Sequence, residues 1–281
     1  MIRKPRFSEI TVISLALGMS SIVTGQNSQQ EIEEIEIFAD SRRTEGITNV
    51  NAAISVLGEE ELDLILQTHY QEALARVPGF SGNRNNGQES LMALRSPVLT
   101  GAGACGAFLI AENGIPVRSA GFCNVNEMFD THTEYAQSIE VIRGPASAFW
   151  GSNALHGLVN VRLPDPGEIG ELTLEQGPRG SYRTKAAIGS DSGNFKQSLY
   201  LTGINEEGYR DDSGVDQQKA SWLYEYTLAN GIKMEGGFTY NNLNQETAGY
   251  VVGAKAYEDG NKRATNPNPE AYRDSQSTRV W

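Results

Sequence analysis

Beyond Pro164-Asp165-Pro166-Gly167 the side chains alternate with a period of two, and this constrains the fold more than any other feature of the chain. Leu172 and Leu174 open the series. Tyr182, Ala186 and Ile188 oppose Arg183 and Lys185, and Phe195, Leu199 and Leu201 oppose Lys196, Ser198 and Thr202. Trp222, Tyr224, Tyr226 and Leu228 oppose Ser221, Glu225 and Thr227; Ile232, Met234, Phe238 and Tyr240 oppose Lys233, Glu235 and Thr239. The period predicts five antiparallel strands with one apolar, aromatic-rich face and one polar face. Connections at 190–193 and 229–231 are tight, those at 204–217 and 243–275 are long and polar, and the short one at 177–180 breaks the rhythm. Short turns at one end and long loops at the other suit an outer-membrane barrel with a wet lumen. A soluble sandwich uses the same alternation, so the pattern alone leaves both open. No run of 18 or more apolar residues exists, which excludes a transmembrane helix but not a membrane protein built of strands.

The N-terminus reads as an address. Arg3, Lys4 and Arg6 precede an apolar stretch from Ile10 to Val23, with small or branched residues at Val23-Thr24-Gly25, so 1–25 has the layout of a secretory signal peptide. The net charge of −12 argues against a nucleic-acid partner, since neutralising phosphates takes an excess of Lys and Arg. Export permits a disulfide. The two cysteines, Cys105 and Cys123, would close a loop of roughly 18 residues, a bridge worth about 3 kcal/mol in the chain-entropy model; two unconnected thiols are the alternative.

Between about Thr48 and Leu163 the pattern predicts a compact α/β domain. Ala53 to Leu57 reads as a strand and Glu59-Glu60-Glu61 as a helix start, with acids where the helix dipole favours them. Thr68 to Gln71 fits a capping box, with His69 solvated beside it, and Tyr70, Ala73, Leu74 and Val77 form one apolar helix face ended by Pro78-Gly79. Further strands are expected at 91–94, 107–111, 138–142 and 157–163, with a turn at Glu112-Asn113-Gly114. Gly101 to Gly106 matches G-x-G-x-x-G but lacks the strand before and helix after that a dinucleotide site needs. His69, His132 and His156 have no zinc spacing; His132, in a polar run, is a candidate for transient metal or haem contact. No G-x-S-x-G elbow or carboxylate pair supports an enzyme, and no cofactor is implied.

The stretch SIEVIRGPASAFWGSNALHGLVNV, Ser138 to Val161, closely resembles the end of the plug domain of TonB-dependent outer-membrane receptors, with Trp150 at the usual aromatic and His156 at the usual small position. Glu72 to Phe80, Leu91 to Ser96, Ile110 to Val117 and the Glu207-Gly208-Tyr209-Arg210-Asp211 run resemble further family motifs in the same order, although Ser96 replaces a glycine. Ile32, Glu33, Glu34, Ile35, Glu36, Ile37, Phe38 and Ala39 resemble the TonB box, the extended segment that pairs with the TonB protein as an added strand.

The resemblance implies an α/β plug domain followed by antiparallel β-strands of an incomplete transmembrane β-barrel. Its domains would be a signal peptide at 1–25, an N-terminal segment with the TonB box at 26–47, the plug at 48–163 and barrel strands from 165 to 281. It implies energised uptake across the outer membrane of a scarce ligand, an iron–siderophore complex foremost, driven by TonB with ExbB and ExbD, with a periplasmic N-terminus. Arg95, Glu140 and Arg143 would anchor plug to barrel through charge pairs, or be ordinary surface charges; Cys105 and Cys123 would flank an apical loop. Closure of about 22 strands needs on the order of 300–400 residues more, so a secreted, non-transporting binding module or a decayed receptor fragment is the alternative.

Overall fold

The computed structural model describes residues 36–39, 43–84, 87–95, 108–118 and 127–281. Two short strands, β1 (Glu36–Ile37) and β2 (Glu45–Gly46), pair antiparallel ahead of β3 (Ile54–Gly58). Helix α1 (Glu59–Ile65) opens on three glutamates and ends where Leu66 turns left-handed at φ 47°. Helix α2 (Tyr70–Leu74) follows. Its cap is His69, whose Nδ1 accepts the Gln71 N–H at 3.1 Å, rather than Thr68. Thr68 is drawn away because its own N–H and hydroxyl both donate to the Glu72 carboxylate. His69 is 1% exposed, not solvated, and burial with nearby Arg84 lowers its pKa to about 3.

β4 (Phe80–Arg84) and β5 (Ser90–Leu94) form a separate hairpin. β4 has no alternation to announce it; Phe-Ser-Gly-Asn-Arg is extended because β5 supplies its ladder. β6 (Phe108–Glu112) turns into β7 (Ile115–Pro116) through Asn113 and Gly114, at φ 48° and 76°, the two positive angles a tight hairpin turn demands. After two 3₁₀ turns at Glu127–Asp130 and Thr133–Tyr135 come β8 (Ser138–Ile142), α3 (Ser147–Trp150) and β9 (Gly157–Arg162). The sheet runs β3-β8-β9-β6-β7, with β9 parallel to β6 and the other pairs antiparallel. Leu57, Leu74, Met92, Leu94, Phe129, Ile139 and Val159 are the centre of its core.

The second sheet is a meander of six strands, each paired antiparallel with the next: β10 (Gly170–Gln176), β11 (Tyr182–Asp191), β12 (Phe195–Glu206), β13 (Val215–Thr227), β14 (Lys233–Glu246) and β15 (Tyr272–Val280). A short helix, α4 (Gly260–Ala264), interrupts the connection before β15. Strands β12 to β14 run longer than the alternation predicts, because the register continues through polar side chains above the apolar band. Across the outer face Leu201 stands beside Ala220 and Tyr240, and Leu199 beside Trp222, Phe238 and Val280. Above them Asn242 Nδ2 donates to Gln218 Oε1 at 2.7 Å and Gln276 Nε2 donates to Asn242 Oδ1 at 3.0 Å. Apolar side chains thus cover β14 from Met234 to Tyr240, about 20 Å of strand at ~3.3 Å per residue, and a polar ladder ends the band. Leu172, Leu174, Ile188 and Val280 remain two-thirds or more exposed. The opposite face of the sheet packs on the α/β part, where Val215 and Leu243 join its core and Tyr135 and Leu163 pack with Ala187, Tyr200 and Leu223. Among the described residues no helix is long and apolar enough to cross a membrane.

Candidate functional site

The inner face of the long sheet meets the α/β part along a seam of buried polar contacts, most of them made by the 3₁₀ segment 127–135. Alternation along β13 turns Lys219 inward beneath Thr131 and Glu134. Its Nζ donates to Thr131 O at 2.8 Å and to both Glu134 carboxylate oxygens at 3.0 Å, with both side chains under a tenth exposed. From β15, Arg279 Nη2 reaches Glu112 Oε1 at 2.7 Å and Asp130 O at 3.2 Å, while its Nε donates to Thr239 Oγ1 at 3.0 Å. Asp130 Oδ1 accepts from Asn241 Nδ2 at 2.8 Å and Ser277 Oγ at 2.9 Å; its Oδ2 takes Arg118 Nη2 at 3.1 Å. Nearer the long connections Arg273 pairs with Glu89, Arg183 donates to Gln67 O, and the Gln88 N–H donates to Gln245 Oε1 at 2.9 Å. The polarity is consistent: across these ion pairs the sheet supplies the cations and the α/β part the carboxylates.

His132 lies in the middle of this seam. Its ring nitrogens are each 2.8 Å from a hydroxyl, Nδ1 from Ser221 Oγ and Nε2 from Thr202 Oγ1, and its N–H donates to Glu112 Oε2 at 2.6 Å. Burial drives its pKa down to about 3 against the opposing pull of Glu134, so the ring is neutral. Both nitrogens are engaged, which removes the metal or haem contact suggested by the polar run around it; the described residues contain no cluster of metal-binding groups. Burial, the largest single influence, would raise the Glu134 carboxyl, but the Lys219 charge, the neighbouring His132 and the Lys219 hydrogen bonds together outweigh it and hold the group below its usual range. At Glu112 burial wins over Arg279 and the His132 N–H, and the pKa rises.

A second constellation holds the N-terminal segment. Ile37 and Ala39 are almost fully buried. The Phe38 N–H donates to Glu140 Oε1 at 3.0 Å, and Glu140 Oε2 accepts from Asn160 Nδ2 at 3.0 Å. Asn160 Oδ1 in turn takes the Gly114 N–H at 3.0 Å, and Trp150 Nε1 donates to Ala39 O at 2.7 Å. The Phe38 ring lies 5.1 Å from the Arg162 guanidinium and covers Gly114, where a Cβ would come within 2.5 Å of it. Glu36 to Ala39 of the TonB-box-like run are therefore docked, not free; Ile32, Glu33, Glu34 and Ile35 lie outside the described residues.

Arg95, Glu140 and Arg143, expected to anchor plug to barrel, make their hydrogen bonds within the α/β part and not to the six described wall strands. Glu140 is spent on the N-terminal segment and Asn160, with no contact to the long sheet, because β8 turns it to the face that β1 covers. Arg143 donates from its N–H to Ala53 O at 2.8 Å and through Nη2 to Ile54 O at 3.4 Å; Arg95 Nη1 donates to Arg143 O at 2.8 Å. Among the described residues the charged contacts to the sheet fall instead to Glu89, Glu112, Asp130 and Glu134, facing Arg273, Arg279 and Lys219. A signal was available: an acid-rich stretch from Glu127 to Glu134, set against basic residues at the inward positions of the strands. Cys105, Cys123 and the Gly101–Gly106 run lie outside the described residues.

The family model described as the TonB-dependent receptor plug domain matches residues 47–158. The vitamin B12 transporter BtuB of Photobacterium profundum is 28% identical over 171 residues, covering 59% of this chain and 27% of that protein. Among solved structures, FpvA of P. aeruginosa bound to a heterologous pyoverdine with iron superposes with a TM-score of 0.71 at 14% identity, covering 87% of this chain and 33% of that one. The ferric-catecholate import receptor Fiu of E. coli K12 gives 0.59 at 14% identity, covering 84% and 36%. The chain thus spans about a third of the length of the proteins it matches. Residues 47–158 thus match the plug domain of TonB-dependent receptors, and beside them the chain carries six strands of wall, polar toward the plug and apolar outside, so that it resembles the plug and part of the wall of those receptors.

Proposed function

We propose that this chain is the plug and first wall strands of a receptor that imports a scarce metal chelate, an iron–siderophore complex, across the outer membrane with energy delivered by TonB, ExbB and ExbD. The observation that carries the reading is the pairing of a plug seated against an apolar-backed wall with an extended segment on its other side. The apolar outer band faces lipid, since its exposed leucines and aromatics have no other cover and a strand wall is one of two structures that satisfy backbone groups in a bilayer. The long connections 207–214 and 247–271 then lie at the outer end, the turns at 192–194 and 228–232 at the periplasmic end, and Glu36–Ala39 on the periplasmic side of the plug. Iron is favoured over cobalamin because the solved relatives named above are described with ferric ligands, although BtuB is a vitamin B12 transporter.

Producing the full-length receptor that contains this chain in a receptor-deletion strain should restore uptake of radio-iron supplied as a siderophore, and a protonophore should abolish it. Deleting residues 32–39 should abolish uptake while leaving ligand binding intact. Uptake that persists without 32–39 would overturn the assignment of the TonB box, and uptake of labelled cobalamin alone would replace iron as the cargo.

A further inference from the structure

The Glu207-Gly208-Tyr209-Arg210-Asp211 run sits at the end of the wall where the long connections gather, and its contacts leave its own loop. Gly208 adopts φ 82°, and a Cβ there would come within 2.4 Å of the Ser213 carbonyl oxygen. Ser213 Oγ closes the turn, accepting the Arg210 N–H at 3.0 Å and donating to Arg210 O at 2.6 Å. This aims the Arg210 guanidinium across at the connection 247–271. Nε and Nη2 donate to Thr265 O at 3.1 and 2.8 Å, Nη1 to Ala248 O at 3.3 Å, and Nη2 also to Gly249 O. Those carbonyls come from both ends of the partner connection, one just after β14 and one just past the C-terminus of α4, where a cation also suits the helix dipole.

Neighbouring contacts repeat the pattern. The Asp211 N–H donates to Ala264 O at 2.7 Å, and Asn266 Nδ2 donates to Asp212 O at 3.0 Å while its Oδ1 takes the Gly249 N–H at 3.2 Å. On the other side the Glu207 N–H donates to Arg179 O at 3.3 Å, and the Arg179 guanidinium lies 5.6 Å from the Tyr209 ring. The turn 177–181, which breaks the length rhythm of the connections, is thereby tied in as well. Arg179 and Glu206 also line a cavity of about 290 Å³ between wall and plug, closed on the plug side by Thr68, Arg84 and Gln88.

We propose that Arg210 is a positioning residue that locks connection 207–214 to 247–271 and, through the Glu207 and Tyr209 contacts to 177–181, makes the three connections one rim, which opens and closes as a unit beside that cavity. That this rim faces the ligand rests on the uptake reading; that it is one unit does not. A fork of charged donors on three carbonyls suits the role, because a lysine ammonium at the same place would lack the planar geometry to reach them together.

Hydrogen exchange on the full chain in detergent micelles, with no ligand added, tests the unit directly. Replacing Arg210 by alanine should speed exchange at the Asp211 and Gly249 amides by a common factor of about tenfold or more, with β13 and β14 centre amides unchanged. R210K should not restore protection. Asn266→Ala should speed the Asp211 amide by the same factor as Gly249, although Asn266 does not touch that amide. An Asp211 amide unchanged in N266A, or unchanged within about twofold in R210A, would overturn the proposal. Since no ligand enters the measurement, failure of the uptake reading would leave this result standing, and the reverse holds too.

Discussion

The plug is held on two sides by different chemistry. Against the wall it is held by side chains: Lys219 on Glu134, the partly buried Arg279 on buried Glu112, and buried His132 between two hydroxyls. Against the N-terminal segment it is held through main-chain groups: Glu140 accepts the Phe38 N–H and Trp150 donates to Ala39 O, with a ladder of two residues beside them. Breaking a wall contact leaves an uncompensated charge in a water-poor space. Breaking an N-terminal contact frees a backbone group that water can satisfy once the strand lifts. The first arrangement suits retention and the second suits release, and the difference follows from whether the lost partner leaves an ion or a dipole behind.

Stranding an ion at the wall should have the largest effect. Lys219→Met should cost about 3–5 kcal/mol, read as a shift of the urea midpoint, because Glu134 remains buried without its cation. Adding Glu134→Gln should recover most of that loss, since removing both partners of a buried pair is close to neutral. If the single variant costs under about 1 kcal/mol, the seam behaves as a surface pair and the contrast with the N-terminal side collapses.

Acid should weaken the wall side as well, through the histidine. With its pKa near 3 in the folded chain and 6.5 when unfolded, His132 gives the unfolded state a proton that the folded state refuses. Stability therefore falls as pH drops below 6.5, by about 1.4 kcal/mol per pH unit for this group, until pH 3 is reached. Glu112 works in the opposite sense, its raised pKa making the folded state the tighter proton binder above the unfolded carboxyl value. The difference between wild type and His132→Gln isolates the histidine: about 2 kcal/mol of acid-dependent loss at pH 5 should vanish in the variant. An unchanged pH slope would mean that the ring is charged or wet in the folded state.

Much of the wall was legible because alternation is local: Lys185, Ser198, Thr202, Ser221 and Thr239 all fall on the inner face that the period-two pattern assigns them. β15 was legible only at its end, as the start of a strand at Ser277 to Trp281, since its outward side chains Asp274, Gln276 and Thr278 are polar and the ladder from β14 extends it back to Tyr272. The motif run from Ser138 to Val161 pointed to the plug, yet the anchoring expected of Glu140 and Arg143 came with no partner to check it by. Glu140 lies next to Asn160 and Phe38 because β8 and β9 pair in one register, and the hydroxyl partners of His132 lie 70 and 89 residues away. Pairings across such separations leave no periodicity to read. The histidine cap of α2 was missed for a local reason: a threonine with a glutamine three residues on fits a capping box, but Glu72 competes for that threonine.

On the N-terminal side the expected effects are smaller. Glu140→Gln keeps the volume and exchanges a charged acceptor for a neutral one, so local stability should fall by about 1–2 kcal/mol. The Phe38 amide should exchange faster by the corresponding factor, while amides of β13 stay protected. Protection lost equally at Phe38 and along β13 would show that the two sides form one cooperative unit.

The smallest and most discriminating change is Trp150→Phe. It removes a single N–H, the one that donates to Ala39 O, and leaves most of the ring's packing against Ala146, Ala154 and Leu158 in place. A single neutral hydrogen bond is worth about 1 kcal/mol net, and the orphaned carbonyl can turn to water if the strand edge lifts. The expected result is a roughly fivefold rise in exchange around residues 37–39, with an unchanged urea midpoint for the wall. Because the indole donates to the last residue of the TonB-box-like run, the variant also changes how easily that run leaves the plug without altering any residue within it. Faster TonB pairing in the variant than in wild type, measured with the isolated periplasmic domain of TonB, would make undocking the slow step; equal rates would place the barrier elsewhere and leave the N-terminal contacts purely structural.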